Sequence, residues 1–229
     1  MTRLGQAGAA LLEILFPGRC LLCGRWLLTA GANGQQLCRE CVCSLVPIQG
    51  PRCNVCGTPL VSESRTCGRC QEADYSFERH RSVFAYAGGV RDLIAGLKFE
   101  HRSRLAGFFA DILGPRILAD YPGVPLVPVP GHKPSDAVAM IARKLEARHG
   151  ITVMSILRRS GGRAQKTLDL RERRENLLGR IRFVGTRVPA RVVLFDDVFT
   201  TGATADTCSR VLLEAGCQGI SVVSVAMEE

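Results

Sequence analysis

At 229 residues, the chain has room for one ordinary domain and a small extra module, and its 46% hydrophobic and 22% charged content is that of a globular protein rather than a disordered one. No run approaches the roughly 18 apolar residues a membrane helix needs, and one Trp and three Tyr are too few for a base-stacking platform. The formal charge of +9 points to an anionic partner, either phosphates on a small ligand or a nucleic-acid backbone, although a solvated basic surface would look the same.

Residues 1–16 read as a short amphipathic helix that stops at Pro17-Gly18. Glu13 interrupts the apolar stretch and Arg19 directly precedes Cys20, so neither a secretory cleavage site nor a lipoprotein site is expected. With no export signal, the expected compartment is a reducing cytoplasm, where clustered thiols bind metal more often than they pair.

Of the 11 cysteines, nine lie between Cys20 and Cys70, leaving only Cys208 and Cys217, which read as core residues of a later helix and its end. Four C-x2-C pairs occur: Cys20/Cys23, Cys38/Cys41, Cys53/Cys56 and Cys67/Cys70. Two residues between thiolates let both ligate one ion from a tight knuckle, and two knuckles complete a tetrahedral site. The spacings C-x2-C-x14-C-x2-C and C-x2-C-x10-C-x2-C predict a double zinc ribbon over residues 17–72, with two structural Zn2+. Four thiolates leave no open coordination position, so a catalytic zinc is not expected. Pairing within each half is the default reading and interleaved pairing the alternative; Cys43 is a spare thiol able to stand in for Cys41. Redox-active dithiols are the competing chemistry, but eight regularly paired cysteines exceed what exchange needs.

After residue 72 the composition changes to alternating apolar runs and helical patterns, which sets a second domain at 73–229. Strand VFAY begins at Val83, and helices are expected over Val90–Leu97 and Leu105–Leu118. Strand PLVPVP spans Pro125–Pro130, a helix with an early Pro134 covers about Ser135–His149, and a strand follows at Thr152–Ile156. Residues 160–182 are polar and basic and read as a mobile loop with a short helix. Strand Arg191–Phe195, helix Thr204–Ala215 ending at Gly216, and strand Ile220–Val225 complete the chain. Strands alternating with helices predict an α/β fold, a parallel sheet covered on both faces.

The most informative stretch is VVLFDDVFTTGAT, Val192–Thr204. A buried strand delivers Asp196 and Asp197 to its carboxyl end, where open α/β sheets bind ligands. Thr200, Thr201, Gly202, Ala203 and Thr204 then turn the chain into a helix whose first amides face an anion, with Gly202 permitting close approach. The two carboxylates can accept hydrogen bonds from the vicinal hydroxyls of a ribose. No Gly-Lys-Ser/Thr follows, which excludes a nucleoside-triphosphate P-loop.

This pattern resembles the 5-phosphoribosyl-1-diphosphate (PRPP) loop of type I phosphoribosyltransferases. The resemblance extends to the strand Val127-Pro128-Val129-Pro130 ahead of a loop that holds diphosphate, here Gly131–Ser135 with Lys133. It extends also to a flexible catalytic loop, here Gly161–Phe183, with Gln165, Leu168, Arg173 and Asn176 matching Q-x-x-L and R-x-x-N. With the cysteine module and Lys98 in GLKFEHR, nearly the whole chain is similar to the ComF family, phosphoribosyltransferase-like proteins linked to competence and DNA uptake. That resemblance implies a type I phosphoribosyltransferase fold, PRPP or a nucleotide 5-phosphate as ligand, Mg2+ carried with PRPP, and a connection to single-stranded DNA or DNA-processing proteins. One departure stands out: family members carry an R-G-F-N-Q-type run soon after the VPVP strand, and this chain reads GHKPSDAVAMIARKL instead.

Transfer from PRPP needs a positioned ribose, a neutralised leaving group and exclusion of water. Asp196 and Asp197 suit the first task, and Lys133 with Arg163 or Lys166 the second. Thr200 stands where purine-salvage relatives place an acidic residue, and His132 and His101 are isolated candidates for acid–base work. The chain ends about four residues after its last expected strand, so a hood over a base is expected from the N-terminal module or a partner. Two readings follow: an enzyme that transfers or hydrolyses a phosphoribosyl group, or a non-catalytic nucleotide-sensing or DNA-binding accessory protein that keeps the loop. The altered Gly131–Ser135 region favours the second, and Gln165 and Asn176 favour the first.

Overall fold

The computed structural model describes residues 18–27, 36–61, 64–99, 103–131, 136–160 and 180–228. The expected helix over 1–16 and the proposed site residues Lys133, Gln165, Arg173 and Asn176 lie outside the described residues, as do His101, His132, Arg163 and Lys166.

Four strands form one parallel sheet in the order β1-β6-β5-β2, where β1 is Arg79–Ala85, β2 Leu126–Pro128, β5 Arg191–Phe199 and β6 Gly219–Met227. The central pair carry the apolar run Val192–Phe195 in β5 and, interrupted by Ser221 and Ser224, Ile220–Met227 in β6, and every residue of β6 is buried, as a strand covered on both faces requires. One core cluster packs α3 (Gly88–Phe99), α4 (Ser103–Asp120) and α5 (Ala137–His149) against the sheet through Leu97, Phe109, Ile141 and Phe195. A second cluster joins α6 (Ala203–Glu214) to the sheet through Leu194, Phe199, Cys208 and Leu212. The expected parallel α/β architecture, with helices on both faces, is what forms.

The ribbons share these cores. Cys20, Leu27, Leu37 and Cys41 join the first cluster, while Cys53 and Cys56 join the second. Short helices α1 (Arg39–Cys43) and α2 (Gly68–Glu72) follow the second cysteine pair's entry in each half. The two halves repeat in backbone detail: Gly24 N–H donates to Cys20 C=O and Gly57 N–H to Cys53 C=O, with the two glycines at φ of 71° and 76°. Such a left-handed turn suits glycine, and it closes each knuckle.

Several boundaries differ from the sequence reading. Helix α5 begins at Ala137 because Asp136 caps it, its carboxylate accepting from Ala139 N–H at 2.9 Å; Gly150, at φ 66°, ends it. The strand expected at Thr152–Ile156 reduces to a single parallel bridge, Leu126 with Val153. The chain instead pairs one turn later, β3 (Leu157–Arg159) lying antiparallel to β4 (Ile181–Phe183). Strand β1 starts at Arg79, four residues before the VFAY run, because its register with β6 begins at Arg79 with Ser221. Most consequentially, β5 continues to Phe199, so Asp196 and Asp197 lie within the strand rather than beyond it. Pairing with β6 persists through Val198 with Ala226 and Phe199 with Met227.

Candidate functional site

The site begins where the sheet opens. Strand β2 ends at Pro128, and its last tie to β5 is Val129 N–H to Phe195 C=O at 2.9 Å. Backbone groups two residues apart on a strand face the same neighbour, so Asp197 N–H points to the side that β2 has left. The Asp196 carboxylate accepts that amide at 2.8 Å, and Asp197 in turn accepts Val198 N–H at 2.8 Å. Both carboxylates are thereby fixed by the backbone at the edge of an opening.

Lys98, near the end of α3, places its ammonium 2.6 Å from Asp197 Oδ2, and Asp197 is only 8% exposed. Burial, then the neighbouring Asp197 charge, push Asp196 up to about 7, against the Asp197 amide and Lys98, which hold it down. Asp136 is also raised, by burial first and then by Asp197, so three carboxylates and one lysine share one field. Gly131 is required beside them: a Cβ there would sit 1.4 Å from Asp136 Oδ2.

Beyond Phe199 the chain turns. Gly202 takes φ 80°, and an added Cβ would meet Phe199 at 2.8 Å and Tyr75 at 3.0 Å. The amides of Ala203, Thr204 and Ala205 stand in the first turn of α6, where no intrahelical acceptor is available. Ala203 N–H makes one long contact, to Thr201 Oγ1 at 3.4 Å. Thr200 and Thr201 are exposed, Ala203 and Thr204 half-buried, and Gly202 buried. The sequence reading overlooked the strap that holds this turn: Tyr75 donates to Thr201 C=O at 2.9 Å, and Ser76 N–H to Asp206 at 2.8 Å. It also overlooked Asp136; the only signal was its place three residues ahead of Ala139, the spacing of a helix cap.

The eight cysteines form two sets, Cys20, Cys23, Cys38 and Cys41, then Cys53, Cys56, Cys67 and Cys70, with ligand atoms all within 4.8 Å of one another. A tetrahedral zinc with bonds of ~2.3 Å separates its sulfurs by about 3.8 Å. Cys23 and Cys38 stand 3.8 Å apart, and Cys56 and Cys67 3.5 Å. Amides also aim at sulfur, Cys38 N–H at Cys20 (3.3 Å) and Cys67 N–H at Cys53 (3.4 Å). Burial raises the Cys20 and Cys53 thiols, but such amides outweigh it and bring both down to about 6. Burial and neighbouring cysteines push Cys41 and Cys70 up. The donors and spacing fit two Zn2+, paired within each half, with Cys43 in neither set. Both zincs are structural.

The double zinc ribbon domain family matches residues 11–71. Over 220 residues the chain is 26% identical to Competence protein ComFC of Streptococcus pneumoniae, covering 90% of this chain and 99% of that one. It is 28% identical over 222 residues to the DNA utilization protein YhgH of Escherichia coli K12, covering 90% and 95%. Competence protein F of Haemophilus influenzae is 25% identical over 237 residues, covering 92% and 97%. Among solved structures, a hypoxanthine phosphoribosyltransferase of Staphylococcus aureus superposes with a TM-score of 0.35 at 22% identity, spanning 53% of this chain and 62% of that one. With its two four-cysteine centres leading into a parallel α/β sheet, the chain is a homologue, over nine-tenths of its length, of the proteins named ComFC, competence protein F and YhgH.

Proposed function

We propose that the turn between β5 and α6 grips the ribose 5-phosphate portion of PRPP or of a nucleotide, in a protein that serves DNA uptake or DNA utilization. The observation that carries this reading is the pairing of two backbone-fixed carboxylates, Asp196 and Asp197, with a helix start at Ala203 reached through Gly202. The phosphate is received by the amides of Ala203, Thr204 and Ala205 and the hydroxyls of Thr200, Thr201 and Thr204. Asp196 and Asp197 accept from the ribose hydroxyls. Lys98 orients Asp197 for that purpose. The oxygen donors of Asp136, Asp196 and Asp197 suit a hard cation, and Mg2+ brought with PRPP would neutralise charge on the diphosphate there. Residues 17–72 and 73–229 are read as the two units, ribbon and ligand domain.

A second reading, a nucleotide-sensing or DNA-binding accessory protein without turnover, is favoured by one feature. The Asp136 carboxylate fills the space over Gly131, so a negative charge stands where the resemblance expects the diphosphate loop. A diphosphate-release assay separates the two: release establishes a phosphoribosyl-transferring or hydrolysing enzyme, and ligand binding without release an accessory protein. Both readings require the same grip. PRPP with Mg2+ is therefore expected to raise the melting temperature of the zinc-loaded protein, and Asp196→Ala with Asp197→Ala to abolish that rise. A double variant that still gained stability from PRPP would overturn the ribose contacts.

A further inference from the structure

A second cleft, of about 430 Å³, lies away from the β5–α6 turn. It is enclosed by the segment before the third cysteine knuckle (Pro47, Ile48, Arg52), by β1, and by the later half of α4 up to Tyr121. Arg79 is the first residue of β1, so this cleft opens toward the amino ends of the parallel strands, whereas the turn stands at their carboxyl ends. None of Asp196–Thr204 lines it.

Its walls carry Arg52, Arg79, Arg81 and Arg116 against a single carboxylate, Asp120. Among the described residues none of the four arginines has a carboxylate partner. Three are instead held by backbone carbonyls. Arg52 donates to Ser82 C=O at 3.1 Å and to Ile48 C=O; Arg81 to His80 C=O at 2.8 Å and Cys53 C=O at 3.1 Å; Arg116 to Ile112 C=O at 2.7 Å. A guanidinium has five N–H donors, so each keeps donors to spare in a fixed orientation. The fourth, Arg79, lies over the Tyr121 ring at 5.2 Å. Tyr121 is 8% exposed, and its buried hydroxyl has no hydrogen-bond partner among the described residues. A buried hydroxyl left unpaired is destabilising, and a bound acceptor would relieve it. Apart from Ser82, the remaining wall is apolar: Pro47, Ile48, Val83, Leu113, Ile117 and Val223.

We propose that this cleft is a second ligand site, taking a small phosphate ester of nucleotide size through Arg52, Arg79, Arg81 and Arg116. Unpaired, pre-oriented guanidinium forks match phosphate oxygens in bidentate fashion. The volume falls in the range of roughly 300–1,000 Å³ typical of small-molecule sites, and the apolar wall suits the ligand's less charged body. The site is independent of the grip proposed at the β5–α6 turn.

The test is calorimetric titration of the zinc-loaded full chain with AMP, ribose 5-phosphate and inorganic phosphate, and with an eight-residue oligothymidylate. Two variants assign the site. Thr201→Asp places a carboxylate in the β5–α6 turn and repels phosphate there; Arg79→Glu with Arg116→Glu reverses two exposed charges of the cleft. At least one of the small phosphate compounds is expected to keep binding Thr201→Asp, and to bind at least tenfold more weakly when Arg79→Glu and Arg116→Glu are added to that variant. Tyr121→Phe is expected to weaken the same binding several-fold without lowering the melting temperature, which a structural hydroxyl would do. The proposal fails if none of the small phosphates binds, or if their binding is lost in Thr201→Asp. It fails equally if adding the arginine substitutions to Thr201→Asp leaves their binding unchanged, or if only the oligothymidylate responds to the arginines, which would make the cleft a nucleic-acid surface. The PRPP response of the arginine variant is expected to match the wild type, so failure here and failure at the β5–α6 turn are told apart.

Discussion

Asp196 sits where its own charge is disfavoured, half-buried and one residue from a second carboxylate. Its folded-state value near 7 lies above the unfolded value of about 3.9, so between these the folded chain binds more protons than the unfolded one. Stability from this group is therefore lost as pH rises from about 4 to 7. Asp196→Asn, which carries no charge at any pH, is expected to be more stable than the wild type at pH 8, by on the order of 2 kcal/mol, and to lose that advantage toward pH 4. Denaturant titrations at the two values read this directly; a gain independent of pH would show that the carboxylate is not strained by its surroundings. Ligand binding runs the other way. An ionised Asp196 is needed to accept ribose hydroxyls, so PRPP affinity is expected to fall as pH drops below about 7, by up to about tenfold per unit. The cooperation of Asp196 with Asp197 was legible from the sequence. Their placement within the strand was not, because it depends on β6 pairing with β5 as far as Phe199, at a distance along the chain that the local residues do not mark.

Among the elements, the β5–α6 turn was the most readable, because strand, glycine and helix start follow one another without a gap. What the residues alone did not disclose was the packing beneath it. Gly202 is framed by Phe199 and Tyr75, and Phe199 stacks on the buried His80 ring with centroids 3.7 Å apart. Gly202→Ala is therefore expected to cost more than the ordinary glycine-to-alanine effect, about 2 kcal/mol from positive φ and collision together, measured by denaturant unfolding. A neutral substitution would show that the turn can relax. The cysteine spacing disclosed the zinc knuckles just as fully, but whether they pair within each half or interleave is decided by the folded positions of the eight sulfurs. Strand Thr152–Ile156 was misplaced for the opposite reason: its apolar residues mark burial, but its pairing is settled by β4, far along the chain.

On the scale of the whole molecule, the ribbons are built into the α/β cores rather than appended. Cys53 and Cys56 are fully buried, and His80 Nδ1 contacts Cys56 C=O at 2.7 Å while its other nitrogen contacts Ser224 at 2.9 Å. The first centre is more exposed: Cys23 is on the surface, and Trp26, the single tryptophan, is 51% exposed beneath Arg19. Loss of the second zinc is thus expected to lower the stability of the entire chain more than loss of the first. Cys70→Ser should reduce the melting temperature more than Cys23→Ser, while Cys23→Ser changes tryptophan fluorescence at lower temperature. Equal melting losses would mean that the second ribbon is a detachable module. None of this integration could be read from composition, which changes so sharply near residue 72 that two separate bodies were the natural expectation.

The proposed function stands or falls with the ribose 5-phosphate grip at the β5–α6 turn. Isothermal titration of the zinc-loaded protein with PRPP and Mg2+, repeated with Asp196→Ala and Asp197→Ala combined, tests it most directly. Saturable binding by the wild type, lost in the double variant, is the predicted result; no binding by the wild type, or equal binding by both, would contradict it.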